Sequence, residues 1–279
     1  MNNFTYSVPT KIHFGKGQIS HLYELSESGN KVLLCYGGGS IKKAGIYDEA
    51  VKILKEEDIE IFELSGIAPN PKIESVREGV KLCKENDIDM VLAIGGGSVI
   101  DCAKVVAAGA CYDGDPWDLV ITPRWIKKAL PIYSVLTLSA TGSEMDPFAV
   151  ISDMSKNEKW GTSSEHMKPK MSILDPEYTY SVSKKQTAAG TADMISHICE
   201  NYFTNVKNAD VQARFAEGLL KNCFKYGPIA LEEPDNYDAR ANLMWTASMA
   251  INGILSDGAE VSWCVHPMEH ELSAFYDIT

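Results

Sequence analysis

The sequence predicts an α/β fold in two parts: a Rossmann-like, doubly wound parallel sheet over residues 1–180 and an all-helical domain over residues 181–279. In the first part, short apolar runs alternate with stretches of helical periodicity, which is the pattern of consecutive βαβ units. After Asp175-Pro176 only the helical periodicity continues. The length of 279 residues also suits two domains of ordinary size.

The predicted strands are short apolar runs, and the predicted helices repeat apolar residues on one face. Buried parallel strands are expected at residues 31–36, 59–64, 89–95 and 131–138. Helices are expected at residues 73–86, 99–110, 183–204, 209–226 and 236–252, and from His266 onward. No strand is expected after residue 180.

Composition and charge exclude several functional classes. The net charge of −12 argues against nucleic acid as a partner, because phosphate binding requires a basic face. The N-terminus does not resemble a secretory signal, and no apolar run approaches the roughly 18 residues that span a membrane. None of the seven cysteines forms a CxxC pair, so we expect them to be reduced and buried. These features predict a cytoplasmic protein.

Two identical glycine-rich turns follow predicted strands. The run Gly-Gly-Gly-Ser occupies residues 37–40 and again residues 95–98, where it opens a helix. Glycine lets the backbone approach an anion, and the helix that follows supplies free N–H groups and a positive dipole end. Each run alone could be a tight turn that merely needs glycine, and neither is a GxGxxG fingerprint. Two such turns in one sheet favour a dinucleotide site of unusual form.

Two pairs of potential metal ligands lie in the predicted helical part. Asp193 and His197 are four residues apart and share a helix face, as do His266 and His270, with Pro267 suited to a first helical turn. One carboxylate and up to three imidazoles suit Fe(II) or Zn(II). Two alternatives stay open. Asp193 could be a carboxylate that interacts with the dipole at a helix N-terminus, with His197 nearby by chance. Residues 266–270 could instead be the HxxEH site of a metallopeptidase.

Eight motifs, in order, relate the chain to a known family. They are FGKGQ, YGGGS, PNPK, GGGSVIDCAK, LTLSATGSEMD, ILDPEYTYSV, GTADMISHICENYF and HPMEHELSAFYDIT. With them the chain resembles the iron-containing (group III) alcohol dehydrogenases along its whole length, and most of all their NADPH-dependent butanol dehydrogenase branch.

The resemblance implies a nicotinamide dinucleotide in the cleft between the domains. Its expected contacts are Gly37, Gly38, Gly39, Ser40, Asn70, Gly95, Gly96, Gly97, Ser98, Asp101, Thr137, Leu138, Ser143, Phe148, Lys159, Tyr178 and Val182. NAD-preferring members tend to carry an Asp where this chain has Gly39. Because no carboxylate is expected there to bind a 2′-hydroxyl or repel a 2′-phosphate, and Lys42 or Lys43 is near, we expect NADP(H) to be preferred over NAD(H).

The resemblance also implies a catalytic divalent metal, Fe(II) or Zn(II), in the helical domain. Asp193, His197 and His266 match three of the family's four ligands. His270 matches a histidine beside the nicotinamide and the substrate, and Asp101 is expected on the nicotinamide side, so both are candidate catalytic residues. The fourth ligand follows a Tyr-Asp-Ile-Thr segment in the family, so we expect the chain to stop just before it, with part of the metal-binding domain missing.

The implied function is metal-dependent hydride transfer between NADPH and a short-chain aldehyde such as butanal, by a homodimer. One alternative is an enzyme of the same fold that resembles glycerol dehydrogenase or dehydroquinate synthase, although the latter requires a more basic phosphate site. Another is a nucleotide-binding fragment whose metal binding and catalysis are impaired.

Overall fold

The structure, a computed structural model, describes residues 1–278. Its strands are β1 (Lys11–Phe14), β2 (Lys31–Tyr36), β3 (Glu60–Leu64), β4 (Met90–Gly95), β5 (Ile132–Leu136), β6 (Phe148–Asp153), β7 (Glu158–Ser163) and β8 (Met171–Leu174). Six of them form a parallel sheet in the order β1-β8-β5-β4-β2-β3. The other two, β6 and β7, form an antiparallel hairpin.

Helices cover the sheet and make up the rest of the chain. They are α1 (Ser40–Lys43), α2 (Ile46–Glu56), α3 (Ile73–Asn86), α4 (Gly97–Ala110), α5 (Pro116–Ile121), α6 (Lys184–Tyr202), α7 (Asp210–Glu232), α8 (Tyr237–Ile251) and α9 (Val265–Tyr276). Short 3₁₀ segments lie at Gln18–Ser28, Pro123–Trp125, Glu165–Met167 and Pro176–Thr179.

Apolar cores lie on both faces of the sheet. Within β2, Leu33 belongs to a core with residues of α3, α4 and α5, while its neighbour Leu34 belongs to a core with α2 and the segment Gln18–Ser28. The alternation follows from the two-residue period of a strand. Burial on both faces explains why the parallel strands are continuously apolar, and it confirms the doubly wound fold.

The sheet brings the predicted binding loops to one edge. Strands β2, β4 and β5 are neighbours and run parallel, so their carboxyl ends lie side by side. Residues 37–40 follow β2, residues 95–98 follow β4, and the loop of residues 137–147 follows β5. This edge is where open α/β sheets bind ligands.

All four predicted strands are present, but several other elements were not predicted. Strands β1 and β8 have only four residues each, and α2 was also missed. In the hairpin, the exposed Trp160 and the polar residues of β7 obscure the alternation that predicts strands. Helix α7 runs past the predicted end at Tyr226 and through Pro228. Its Gly227 packs closely on Thr191 of α6.

Among the described residues after residue 180, the regular elements are the helices α6 to α9, joined by irregular segments. A domain boundary near residue 180 stays a prediction. The prediction that the cysteines are buried is wrong for Cys111 and Cys264, which are exposed, although all seven are free thiols. Within residues 1–278, none of the helices has both the length and the apolar character that crossing a bilayer requires.

Candidate functional site

Three potential metal ligands converge where the first turn of α9 meets the middle of α6. The Nε2 atom of His266 lies 3.6 Å from Asp193 Oδ1, and the Nε2 atom of His197 lies 3.8 Å from the same oxygen. One donor atom of each residue lies within 4.8 Å of the other two. Helix α6 is capped by Ser183, whose hydroxyl accepts a hydrogen bond from Gln186 N–H at 3.2 Å. The cluster can hold a divalent cation.

Glu200 belongs to this cluster, although no sequence pattern pointed to it. Its buried carboxylate accepts hydrogen bonds from the backbone N–H groups of Val265 (2.9 Å) and His266 (3.3 Å) and contacts Nδ1 of the His266 ring. These N–H groups belong to the start of α9, which has no side-chain cap of its own. Glu200 therefore anchors α9 and leaves Nε2 of His266 directed toward Asp193. The only sequence signal was an acidic residue one turn after His197.

We expect Glu200→Gln to weaken metal binding by roughly 10–100-fold, which is the range for losing a carboxylate that orients a ligand histidine. The amide can still accept from the backbone, but it carries no charge to hold the Nδ1–H of His266. Titration with Zn(II) measures the change. Glu217→Gln is the matched control, because Glu217 pairs with the exposed Arg214 on α7. Equal affinity in the wild type and both variants would contradict the role of Glu200.

The protonation states of Asp193 and His197 are those that bind a cation. Burial opposes ionisation of Asp193, but the hydrogen bond from His266 and the electrostatic effect of the neighbouring histidines outweigh it and hold the pKa of Asp193 below its usual range. Burial lowers the pKa of His197, so its ring is neutral. Its Nδ1 atom is buried and has no hydrogen-bond partner among residues 1–278. An ionised carboxylate beside a neutral imidazole is the form in which both residues bind metals.

His270 and Lys159 lie beside the cluster. The His270 ring stands perpendicular to the His266 ring, with centroids 6.4 Å apart. Burial, and next the positive charge of Lys159, lower the pKa of His270 to about 4, so the ring is neutral. Lys159 reaches over from β7 and donates to Ser273 Oγ at 2.6 Å and to Glu269 Oε2 at 3.1 Å. The Glu of the HxxEH pattern is thus paired with a lysine, which leaves it poorly suited to act as a peptidase base.

The second glycine turn packs against the loop that follows β5. A Cβ atom on Gly97 would lie 2.3 Å from Thr141 Oγ1, and one on Gly96 would lie 3.2 Å from Leu138 Cβ. Glycine is therefore required by close packing as well as by any approach of a ligand. The structure brings together Gly95, Gly96, Gly97, Ser98, Thr137 and Leu138, since Thr137 N–H also donates to the Gly95 carbonyl at 3.0 Å.

We expect Gly97→Ala to destabilise the protein by about 1–3 kcal/mol, the usual cost of overpacking a tight contact. The added methyl group would overlap the Thr141 side chain, so Thr141→Ala should restore part of the loss. Gly38→Ala is the control, because a Cβ atom there has no neighbour within 4 Å. Denaturation midpoints measure the difference, and equal midpoints for the two alanine variants would refute the close packing.

Asp101 lies in α4 with both carboxylate oxygens engaged by the protein. Its Oδ1 accepts from Ser143 Oγ at 2.6 Å, and its Oδ2 accepts from Val150 N–H at 3.0 Å. Burial raises the pKa of Asp101. These contacts tie α4 to the loop after β5 and to β6. A role in cofactor binding stays a prediction for both Asp101 and Ser143.

The first glycine turn leads into α1, with Gly39 at φ +96° in the region that favours glycine. A carboxylate from another strand lies close to this turn, because Glu63 at the end of β3 is 3.8 Å from Lys42 Nζ. Glu63 also accepts hydrogen bonds from the hydroxyls of Tyr36 and Tyr47. Sequence patterns did not predict this contact, because Glu63 is distant from Lys42 in the sequence and lies on the neighbouring strand. Its charge is shared among these three partners.

The remaining predicted cofactor residues are more widely spread. The Asn70 side chain donates to the carbonyl of Ile278 at 3.1 Å. Phe148 is 41% exposed at the start of β6. Tyr178 packs against the core that contains α2, and Val182 is half-buried just before α6. The expected fourth metal ligand lies outside the described residues.

One loop connects the two candidate sites. A Cβ atom on Gly190 of α6, three residues before Asp193, would lie 2.5 Å from the carbonyl oxygen of Ser139. The same loop contacts Gly97 through Thr141. The start of α4 and the ligand-bearing turn of α6 therefore flank the loop after β5. A dinucleotide on the glycine turn and a cation on Asp193 would be neighbours.

Comparison with known proteins relates the chain to one family. The family model described as iron-containing alcohol dehydrogenase matches residues 9–176, and the C-terminal model of the Fe-containing alcohol dehydrogenase family matches residues 187–279. NADH-dependent butanol dehydrogenase A from Clostridium acetobutylicum is 59% identical over 280 residues, which cover 100% of this chain and 72% of the relative. NADPH-dependent aldehyde reductase YqhD from Escherichia coli is 44% identical over 281 residues, with the same coverage.

Solved structures show the same relationship. The chain is similar to NADH-dependent butanol dehydrogenase A from Thermotoga maritima, with a TM-score of 0.97 and 47% identity over 100% of this chain and 70% of that one. It is also similar to Escherichia coli YqhD, with a TM-score of 0.96 and 43% identity over 100% and 72% of the two chains. With both family models matched along most of its length, the chain belongs to the iron-containing alcohol dehydrogenase family.

Proposed function

We propose that this protein is a metal-dependent aldehyde reductase and alcohol dehydrogenase that transfers hydride between a nicotinamide dinucleotide and a short-chain aldehyde. The observation that carries the proposal is the convergence of Asp193, His197 and His266 beside the loop that also packs on Gly97. The names of the relatives, butanol dehydrogenases and an aldehyde reductase, support the substrate class.

The residues divide the chemistry among them. A bound Fe(II) or Zn(II) would supply Lewis-acid polarisation of the substrate oxygen. Asp193, His197 and His266 would hold the ion, and Glu200 fixes the ring orientation of His266. His270 is neutral near pH 7 because burial and Lys159 lower its pKa to about 4. A neutral imidazole can pass its ring N–H proton to a developing alkoxide while its other ring nitrogen takes up a proton from solvent.

Steady-state assays test the proposed function. The protein is loaded with Fe(II) or Zn(II) and supplied with butanal and either NADPH or NADH, and oxidation of the cofactor is followed. Turnover of butanal supports the proposal. Turnover of glycerol and NAD without any reaction of butanal would replace it by the glycerol-dehydrogenase alternative. Metal content measured on the same sample tests the alternative of a nucleotide-binding chain that holds metal poorly.

We further propose that NADP(H) is preferred over NAD(H). Support comes from the open space around Gly39, where no Cβ neighbour lies within 4 Å, and from the ammonium group of Lys42 in the same turn. Glu63 weighs against it, although its carboxylate is already paired with Lys42. The relatives divide, since their names include both NADH-dependent and NADPH-dependent enzymes.

Gly39→Asp is expected to shift the ratio of kcat/KM for NADPH over NADH by at least about tenfold toward NADH. An aspartate would accept from a 2′-hydroxyl and repel a 2′-phosphate, and 1.4 kcal/mol of discrimination corresponds to about tenfold. Because position 39 has φ +96°, Gly39→Asn is the control for backbone strain without charge. The same ratio in both variants would show that this turn does not contact the 2′ position.

The resemblance also supports a homodimer, which we propose as the assembly. Light scattering on the purified protein measures the mass in solution. A mass of one chain at micromolar concentration would contradict the proposal.

A further inference from the structure

A second histidine–carboxylate cluster shares no residue with the site above. His13 lies on the edge strand β1, and His21 and Glu24 lie on the 3₁₀ segment Gln18–Ser28 that packs beside it. Glu24 Oε1 is 3.0 Å from His13 Nε2 and 3.2 Å from His21 Nδ1. We propose that these three residues bind a borderline divalent cation, with Zn(II) as the best match. Two imidazoles and one glutamate form a known zinc-binding set.

The distances are close to those of ligands that share one ion. With bonds of about 2.0–2.2 Å to zinc in tetrahedral geometry, two adjacent ligand atoms lie roughly 3.3–3.6 Å apart. The two distances from Glu24 Oε1, 3.0 Å and 3.2 Å, are shorter than this by about 0.1–0.3 Å. One donor atom of each residue also lies within 4.8 Å of the other two. The cluster can therefore enclose a cation once its side chains move apart slightly and one ring is reoriented.

A simple hydrogen bond does not explain the position of His13. Its Nε2 atom is buried and has no partner in hydrogen-bonding geometry among the described residues, even though Glu24 Oε1 is 3.0 Å away. A buried polar nitrogen without a partner is costly. In a pair of adjacent metal ligands, each donor points at the ion between them and not at the other ligand. The combination of a short distance and a poor angle is what such a pair shows.

The charges around the cluster leave the required donors available. Lys11 Nζ binds the other carboxylate oxygen, Glu24 Oε2, at 2.7 Å, so Oε1 faces the histidines alone. Burial, and next the nearby His21, lower the pKa of His13, which keeps its ring neutral. A neutral imidazole is the form that binds metals. One carboxylate with two imidazoles also matches the preference of Zn(II) for nitrogen and oxygen ligands.

Binding requires one ring to turn. The His13 and His21 rings are stacked, with centroids 3.6 Å apart and planes 9° from parallel, so their in-plane lone pairs cannot meet at one ion. The His21 side chain is 31% exposed on the surface segment, and the χ2 angle of histidine has broad minima. Rotation of His21 out of the stack brings Nδ1 to the ion, while His13 and Glu24 stay in place. The ion would fasten the 3₁₀ segment to the edge strand.

Calorimetric titration with Zn(II) tests the site in a His197→Ala/His266→Ala background, which removes the other cluster. We expect one zinc ion per chain. His21→Ala should weaken binding by more than the roughly 10–100-fold that changes outside the ligand shell cause. Glu24→Gln, which keeps the side-chain shape, should do the same. His166→Ala removes an exposed histidine on another 3₁₀ segment and is the matched control.

A second readout reports on the ring rotation. The imidazole signals of His13 and His21 in NMR spectra should shift when Zn(II) is added to the same background, and His166 should not respond. The absence of any zinc binding in that background would overturn the proposal. Binding that survives both His21→Ala and Glu24→Gln would overturn it as well. Neither result bears on the reductase assay, because the two clusters share no residue.

Discussion

Replacing His197 by alanine is expected to lower kcat/KM for aldehyde reduction by roughly a thousandfold or more. Lewis-acid stabilisation by a metal contributes several kcal/mol, and each 1.36 kcal/mol corresponds to a factor of ten in rate. The ring of His197 is buried and stacks on the ring of His266, and its donor atom lies within 4.8 Å of those of Asp193 and His266. Kinetics and metal content are measured on the same preparations.

Two further variants separate loss of metal from loss of folding. Asp193→Asn preserves the shape of the side chain and removes one charge from the cluster, so it should lose activity and metal together. His166→Ala removes an exposed histidine far along the sequence and should change neither. Circular dichroism establishes that the variants are folded. Full activity of His197→Ala with unchanged metal content would refute the proposed metal centre.

The parts of this site that could be predicted are those encoded by short-range spacing. Asp193 and His197 are four residues apart on a helix, so their side chains lie next to each other regardless of the tertiary structure around them. The glycine turns follow directly from the strands that end before them, because consecutive residues determine the turn. For the same reason, the helix of residues 73–86 was predicted with the bounds that the structure shows.

Other parts depend on contacts between distant segments, which no local pattern contains. Glu200 holds the start of α9, and Glu63 meets Lys42 only because β3 lies next to β2 in the sheet. The four-residue strand β1 carries His13, but a single histidine in so short a run does not indicate which residues it will contact. Its neighbours in the cluster come from the segment that folds back over the sheet.

A buried ion pair between α4 and the segment before β6 is expected to matter most for stability. Lys104 in α4 is fully buried, and its ammonium group donates to Asp146 Oδ1 at 2.8 Å, to the Asp146 carbonyl at 2.9 Å and to the Phe148 carbonyl at 2.8 Å. Lys104→Met would remove this donor from all three acceptors and leave the Phe148 N–H as the remaining donor to Asp146 Oδ1. We expect the free energy of unfolding to fall by about 3–5 kcal/mol, the cost of removing one partner of a buried pair. Denaturant titration measures it.

The charge, more than the lost packing, should account for that cost. Burial raises the pKa of Asp146 to about 7, even though Lys104 opposes the rise, so the carboxylate is strongly destabilised once the ammonium group is gone. The double variant Lys104→Met/Asp146→Asn removes the buried charge and keeps an oxygen that can accept from Phe148 N–H, a bond of 2.7 Å to Asp146 Oδ1 in the wild type. It should therefore be more stable than Lys104→Met alone. Lys81→Met, at an exposed lysine of α3, should stay within about 0.5 kcal/mol of the wild type. If the double variant were the less stable of the two, the cost would lie in packing, and the role of the pair would be steric support for the start of β6, where Phe148 lies.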